Sequence, residues 1–147
     1  MAETVREYDE LYVISDLHMG GSIPDRQIFN QGPRLSAFLN NLSQPSDRRI
    51  GLVINGDFVD FLADDEAKYF DAAGAESKLN AILDNPSFST VLQGLKGFVR
   101  VPRRTLVLTL GNHDVELALP PVREALLYRI TEGDETARGR VVFAVEG

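Results

Sequence analysis

Three apolar segments, each ending in a cluster of polar residues and glycine, constrain the fold of this chain most strongly. They read ELYVISDLHMGG (residues 10–21), RIGLVINGDFVD (49–60) and RTLVLTLGNHDVE (104–116). Near-continuous apolar runs of this length are typical of strands buried on both faces of a parallel or mixed sheet. Asn55-Gly56 leaves one alternative open, a β-hairpin. The segment that follows, DFVDFLADDEA, lacks the alternation of a returning strand.

The segments between these runs have helical periodicity. Helices are predicted after Pro33, over residues 88–99, and from Pro120 to the neighbourhood of Gly133. One further run, RVVFAV (140–145), predicts a fourth strand. Helical crossovers connect parallel strands. We therefore expect the α/β class: one domain spanning residues 1–147, with a mixed, largely parallel sheet and flanking helices.

Composition excludes several classes of protein. No apolar stretch reaches the roughly 18 residues that span a bilayer, and the acidic start MAETVREYDE is unlike a signal peptide. The chain has no cysteine, which excludes disulfides and thiolate metal sites and favours a cytoplasmic location. A net charge of −7 argues against a broad nucleic-acid surface. The basic cluster RVPRR (100–104) is better interpreted as a solvated connection between a helix and a strand.

The three polar clusters are predicted to form one site. Ligands bind beyond the carboxyl ends of parallel strands, and that edge would collect seven residues, including both histidines of the chain: Asp16, His18, Asp57, Asp60, Asn112, His113 and Asp114. Each residue alone has a plain structural explanation, as a turn or cap residue. Their joint occurrence at three equivalent strand ends indicates a metal site, since carboxylate, imidazole and amide oxygen suit Mn²⁺, Fe²⁺ or Zn²⁺.

The motifs DLH (16–18), GDFVD (56–60) and GNHD (111–114) resemble, in this order, the three N-terminal blocks of the calcineurin-like metallophosphoesterases. The resemblance implies the N-terminal portion of an αββα sandwich and a cofactor of two divalent metal ions (Mn, Fe or Zn). It implies that Asp16 and His18 hold the first ion and Asp57 bridges both ions. Asn112 would hold the second ion.

The same resemblance implies a catalytic role for His113, as general acid or as stabiliser of charge on the phosphoryl group. Asp60 would orient His113, and Asp114 would hold the loop. The implied activity is metal-dependent hydrolysis of phosphomonoesters or phosphodiesters by a metal-bridging hydroxide. Phe61 stands where the family's protein phosphatases usually carry arginine. The middle block is more similar to that of bacterial members acting on small phosphoesters, nucleotide-linked esters among them.

The family's later histidine blocks are absent, because no histidine follows His113. We therefore expect the chain to be the N-terminal part of a longer protein, with one metal ion or none tightly bound and little hydrolysis by this chain alone. An apolar face left uncovered by a second sheet would favour self-association. Two alternatives stay open. One is a non-catalytic interaction module on a degenerate phosphoesterase fold. The other is a doubly wound nucleotide-binding domain, which the lack of a Gly-x-Gly-x-x-Gly or Walker loop disfavours.

Overall fold

The computed structural model describes residues 6–63 and 70–144. Its main elements follow in chain order: β1 (Glu10–Ile14), α1 (Gly32–Leu42), β2 (Ile50–Asn55), α2 (Ala75–Asp84), α3 (Pro86–Arg100), β3 (Arg104–Thr109), α4 (Pro120–Thr131), α5 (Glu135–Arg138) and β4 (Val141–Ala144). Short 3₁₀ helices lie at Pro24–Arg26 and Val115–Ala118. The predicted helices and strands are thus confirmed, except that Val145 of the predicted last strand lies outside the described residues. None of the described helices is long and apolar enough to cross a membrane.

All four strands are parallel, in the order β1-β2-β3-β4. The hairpin alternative at Asn55-Gly56 is wrong, because β2 ends at Asn55 and pairs in parallel with both neighbours. The expectation of an α/β fold is confirmed, with a sheet that is parallel throughout rather than mixed. Strand order equals chain order, so successive right-handed crossovers carry the helices to the same face of the sheet.

The core lies between that face and the helices. Leu52, Ile54 and Leu106 point into it and are 0% exposed. α1 packs on α3, and α3 packs on α4, which makes one helical layer. The helices begin where their sequence favours it: Pro86 occupies the first turn of α3, and the Asn85 side chain accepts a hydrogen bond from the Ser87 N–H.

The opposite face of the sheet carries a row of valines. Val13, Val53, Val107 and Val142 are in register across the four strands. Val13 is 59% exposed and the neighbouring Leu11 is 54% exposed. Parallel sheets are normally covered on both faces. Within residues 6–63 and 70–144 no layer covers this face, which we call the valine face. The expected apolar face is present, and its part in self-association stays a prediction.

The basic cluster at residues 100–104 makes intramolecular contacts. Arg104 is 1% exposed and donates to the backbone carbonyls of Leu42 (2.7 Å) and Arg48 (2.9 Å). Arg100 pairs with Glu132 at 2.5 Å. The contacts of Arg104 tie the start of β3 to the end of α1 and the loop that follows it, so the expectation of a solvated connection is wrong at Arg104.

Candidate metal centre

The polar clusters meet at the carboxyl edge of the sheet, where backbone hydrogen bonds continue the pairing of β1 and β2. The His18 N–H donates to the Asp57 carbonyl (2.8 Å), and the Asp60 N–H donates to the Met19 carbonyl (2.8 Å). The third cluster joins them because the backbone N–H of Phe61 donates a hydrogen bond to the His113 carbonyl (3.1 Å). The backbone itself therefore holds the three strand ends together.

The chain turns sharply at this edge. Asp16, His18 and Asp57 have φ angles of 55°, 49° and 51°, in the left-handed region. Aspartate and histidine are enriched there among non-glycine residues, at a cost of about 1–2 kcal/mol each. Strain of this kind concentrates at functional sites. The turns aim the side chains of Asp16 and His18, two residues apart, toward the same point.

Two glycines are required by close approach. A Cβ at Gly111 would lie 2.1 Å from Oδ1 of Asp57, and a Cβ at Gly20 would lie 2.5 Å from the Asp60 carbonyl oxygen. Neither distance is compatible with a side chain. Glycine at these positions lets the loops after β1 and β3 press against the loop after β2.

Nε2 of His18 faces two carboxylates. It lies 3.9 Å from Oδ1 of Asp16 and 3.7 Å from Oδ2 of Asp57. The candidate ligand atoms of these three residues all lie within 4.8 Å of one another. Asp57 is 7% exposed, while Asp16 is open to solvent. Two carboxylate oxygens and one imidazole nitrogen suit a divalent cation such as Mn²⁺, Fe²⁺ or Zn²⁺, so the residues fit the metal that the motifs imply.

The carboxylate of Asp60 faces both histidines. Its Oδ2 lies 3.0 Å from Nδ1 of His18, and both of its oxygens lie 3.1 Å from Nδ1 of His113. The two imidazole rings stand edge to face with centroids 4.7 Å apart. Sequence reasoning paired Asp60 with His113 and missed its contact with His18, because motif spacing does not show which strand end a side chain reaches. The only hint was that both histidines of the chain fall in the clusters.

Electrostatics favour a protonated His113. Its hydrogen bond to Asp60 raises the pKa of the imidazole, and the smaller cost of burial opposes this. The backbone N–H of His113 also donates a hydrogen bond to Oδ1 of Asp57 (2.9 Å), and this bond fixes the loop that carries the imidazole ring.

Asp114 lies behind the site and holds its loops. It is 0% exposed, and its carboxylate accepts hydrogen bonds from the N–H groups of Phe58 (2.8 Å) and Gly111 (2.7 Å). Burial raises the pKa of Asp114 and these two bonds oppose the rise. The arrangement agrees with the structural role expected for this residue.

Asn112 stands apart from the other candidate residues. It is exposed, and its side chain makes no hydrogen bond within the described part of the chain. The structure therefore brings Asp16, His18, Asp57, Asp60 and His113 together and leaves Asn112 at the surface beside them.

Comparisons with protein-family models, curated proteins and solved structures found no match to this chain.

Proposed function

We propose that this chain is a divalent-metal-dependent phosphoester hydrolase domain of the calcineurin-like metallophosphoesterase type. The observation that carries the proposal is the convergence of Asp16, His18 and Asp57 at the carboxyl edge of the sheet, with ligand atoms within 4.8 Å of one another. Two of the three motifs that resemble this family, DLH and GDFVD, supply these residues, and the third, GNHD, places His113 beside them at Asp60.

The cation would be held by Oδ1 of Asp16, Nε2 of His18 and Oδ2 of Asp57. When bound, it supplies a Lewis acid that polarises a phosphoryl oxygen and lowers the pKa of water. Asp60 accepts the Nδ1–H of His18 in this state, which leaves the lone pair of the imidazole on Nε2. The protein thus sets the tautomer that a metal ligand needs.

His113 is proposed as the proton donor to the leaving oxygen of the ester. Its Nδ1 is engaged by Asp60, so Nε2 is the nitrogen that can donate to a substrate. The side chain is 32% exposed, which allows contact with a small ester. The raised pKa of His113 keeps more of the ring protonated near neutral pH, as a general acid requires.

Three protein ligands for one cation support a single bound metal and slow hydrolysis by residues 1–147. A second cation, between Asp57 and Asn112, is proposed only for a protein that supplies further ligands. The proposed substrates are small phosphoesters, including nucleotide-linked ones. The net charge of −7 and the structural use of Arg100 and Arg104 give no support to a nucleic-acid substrate.

The test combines manganese binding with hydrolysis of bis-p-nitrophenyl phosphate and p-nitrophenyl phosphate. Asp57→Asn removes one negative charge but keeps a side-chain oxygen that can accept from the backbone N–H of His113. Asparagine also tolerates the left-handed backbone conformation of this position. We expect it to lower manganese affinity at least tenfold and to abolish metal-dependent turnover. Asp47→Asn removes a charge from a side chain fully open to solvent and is the control. Metal-dependent turnover that survives Asp57→Asn would refute the proposed site.

The second candidate function is a non-catalytic interaction module, and the exposed valine face favours it. This face offers apolar side chains on every strand of the sheet. It lies on the side of the sheet opposite the helical layer and does not require the metal centre to be active.

A further inference from the structure

We propose that His18 serves two mutually exclusive cation sites, and that the second, formed by His18, Asp60 and His113, takes zinc in preference to manganese. The proposal rests on the proposed function in one respect, since it takes Asp16, His18 and Asp57 as the first site. The second site uses Nδ1 of each histidine and a carboxylate oxygen of Asp60. It was not indicated by any motif.

The geometry of the second site is close to that of a metal site. Both Nδ1 atoms converge on one carboxylate at 3.0 Å and 3.1 Å, and the three candidate ligand atoms lie within 4.8 Å of one another. Zinc bonds of roughly 2.0–2.2 Å in a tetrahedron put neighbouring ligand atoms about 3.3 Å apart. The two nitrogen–oxygen distances are therefore within about 0.3 Å of the separation that a bound zinc ion needs.

The surroundings hold the carboxylate and leave room for solvent. Asp60 is 4% exposed, and its Oδ1 accepts a hydrogen bond from the Leu62 N–H at 2.9 Å. The side chains of His18 and His113 are 17% and 32% exposed. A water molecule can therefore reach the fourth position of a tetrahedral ion.

The tautomer of His18 makes the two sites exclusive. A neutral imidazole offers one nitrogen lone pair and one N–H. A cation at the first site needs the lone pair on Nε2, and Asp60 then accepts the Nδ1–H. A cation at the second site needs the lone pair on Nδ1, and Asp57 (3.7 Å) and Asp16 (3.9 Å) are then the acceptors nearest the Nε2–H.

The two ligand sets differ in chemistry. The first has two oxygens and one nitrogen, and the second has one oxygen and two nitrogens. Carboxylates suit manganese, while imidazole suits zinc. Zinc on Nδ1 of His113 would also replace the hydrogen bond to Asp60 on which the proposed general acid depends. Zinc is thus expected to inhibit any hydrolysis that manganese supports.

The test measures zinc and manganese binding to the 147-residue chain by competition with a chromophoric chelator. We expect His113→Gln to weaken zinc binding at least tenfold and manganese binding less than about threefold. Asp16→Asn should weaken manganese binding at least tenfold and zinc binding less than about threefold. Equal losses of both metals in both variants, or zinc affinity unchanged in His113→Gln, would overturn the proposal. So would simultaneous binding of zinc and manganese, one of each per chain, at the two sites.

A wild-type measurement avoids any folding defect in the variants. The chain has only two histidines, so ¹⁵N-histidine NMR spectra can assign all four ring nitrogens. Zinc should shift Nδ1 of both rings as coordinated nitrogens, and a shift confined to Nε2 of His18 would overturn the proposal.

Failure of the proposed function gives a different pattern. Manganese affinity untouched by Asp16→Asn would remove the first site, while selective zinc loss in His113→Gln would still support the second. Absence of hydrolysis leaves both binding measurements interpretable.

Discussion

Asp60 presents both of its carboxylate oxygens to Nδ1 of His113, each at 3.1 Å. The same carboxylate lies 3.0 Å from Nδ1 of His18. One buried acid therefore contacts the same ring nitrogen, Nδ1, of both histidines in the chain. The candidate metal ligand and the candidate proton donor are coupled through it, so a change at Asp60 must act on both.

Asp60→Asn is expected to lower the pKa of His113, because the hydrogen bond to the carboxylate is the largest cause of its rise. We also expect manganese affinity to fall about 10–100-fold, as for other carboxylates that orient a histidine ligand. NMR titration of the two histidines and a binding isotherm measure these effects. Asp25→Asn, at an exposed position, is the control for loss of charge. An unchanged His113 titration in Asp60→Asn would contradict the coupling.

Gly111→Ala is expected to destabilise the fold by about 1–3 kcal/mol, because its Cβ would lie 2.1 Å from Oδ1 of Asp57. Metal binding should weaken with it, since Asp57 must move. Gly97→Ala is the matched control. A Cβ at Gly97 meets nothing within 4 Å, and alanine is favoured over glycine in a helix by about 1 kcal/mol. Urea unfolding should thus show opposite signs for the two variants, and equal effects would refute the packing argument.

The helices and strands could be predicted from the sequence because their hydrophobic periodicity is a local property of the chain. The apolar run before Asp57 and the helical spacing after Pro86 each predict their own element from neighbouring residues. Sequence reasoning also placed the three polar clusters at one edge, because the carboxyl ends of parallel strands share it. The parallel order of the strands followed from the crossovers and not from any single strand.

Other features depend on contacts between distant residues and could not be predicted. Asp60 contacts His18, 42 positions away in the chain. This contact depends on the left-handed φ angles of residues such as His18 and Asp57, which the hydrophobic periodicity of the sequence does not predict. Asn112 belongs to the same motif as His113, yet its side chain points to solvent because neighbouring residues on a tight loop diverge. The buried contacts of Arg104 were hidden within a cluster that resembles a charged surface segment.

Arg104→Met is expected to cost about 3 kcal/mol or more, because it leaves the carbonyls of Leu42 and Arg48 without their charged donor. Desolvation lowers the pKa of Arg104, but a guanidinium stays protonated in proteins, so the side chain is treated as charged. Arg103→Met, at a neighbouring side chain that is 55% exposed, should cost less than about 1 kcal/mol. Denaturant unfolding compares them, and similar losses would show that burial of Arg104 contributes little.

Glu132 is expected to make stability depend on pH in acid. Its hydrogen bonds to Lys96 and Arg100 lower its pKa to about 2. A carboxylate with a lowered pKa stabilises the folded state above its unfolded pKa, and this contribution is lost as pH falls through about 2. Glu132→Gln should therefore reduce the change of the urea unfolding midpoint with pH between about pH 5 and pH 2. Because the group is exposed, the effect should be small and reduced by salt. A slope unchanged in Glu132→Gln would contradict this.

The valine face is expected to drive weak self-association. Val13 and Leu11 are 59% and 54% exposed, and contiguous apolar patches of this kind mark interaction surfaces. Val13→Lys should shift sedimentation toward the monomer, because a lysine facing a second copy would be buried without a partner. Ile28→Lys alters a side chain that is more exposed (69%) but lies outside the sheet, and it should leave association unchanged. Equal effects of both variants would indicate non-specific adhesion. A wild-type chain that stays monomeric at high concentration would show that a different partner, or none, covers this face.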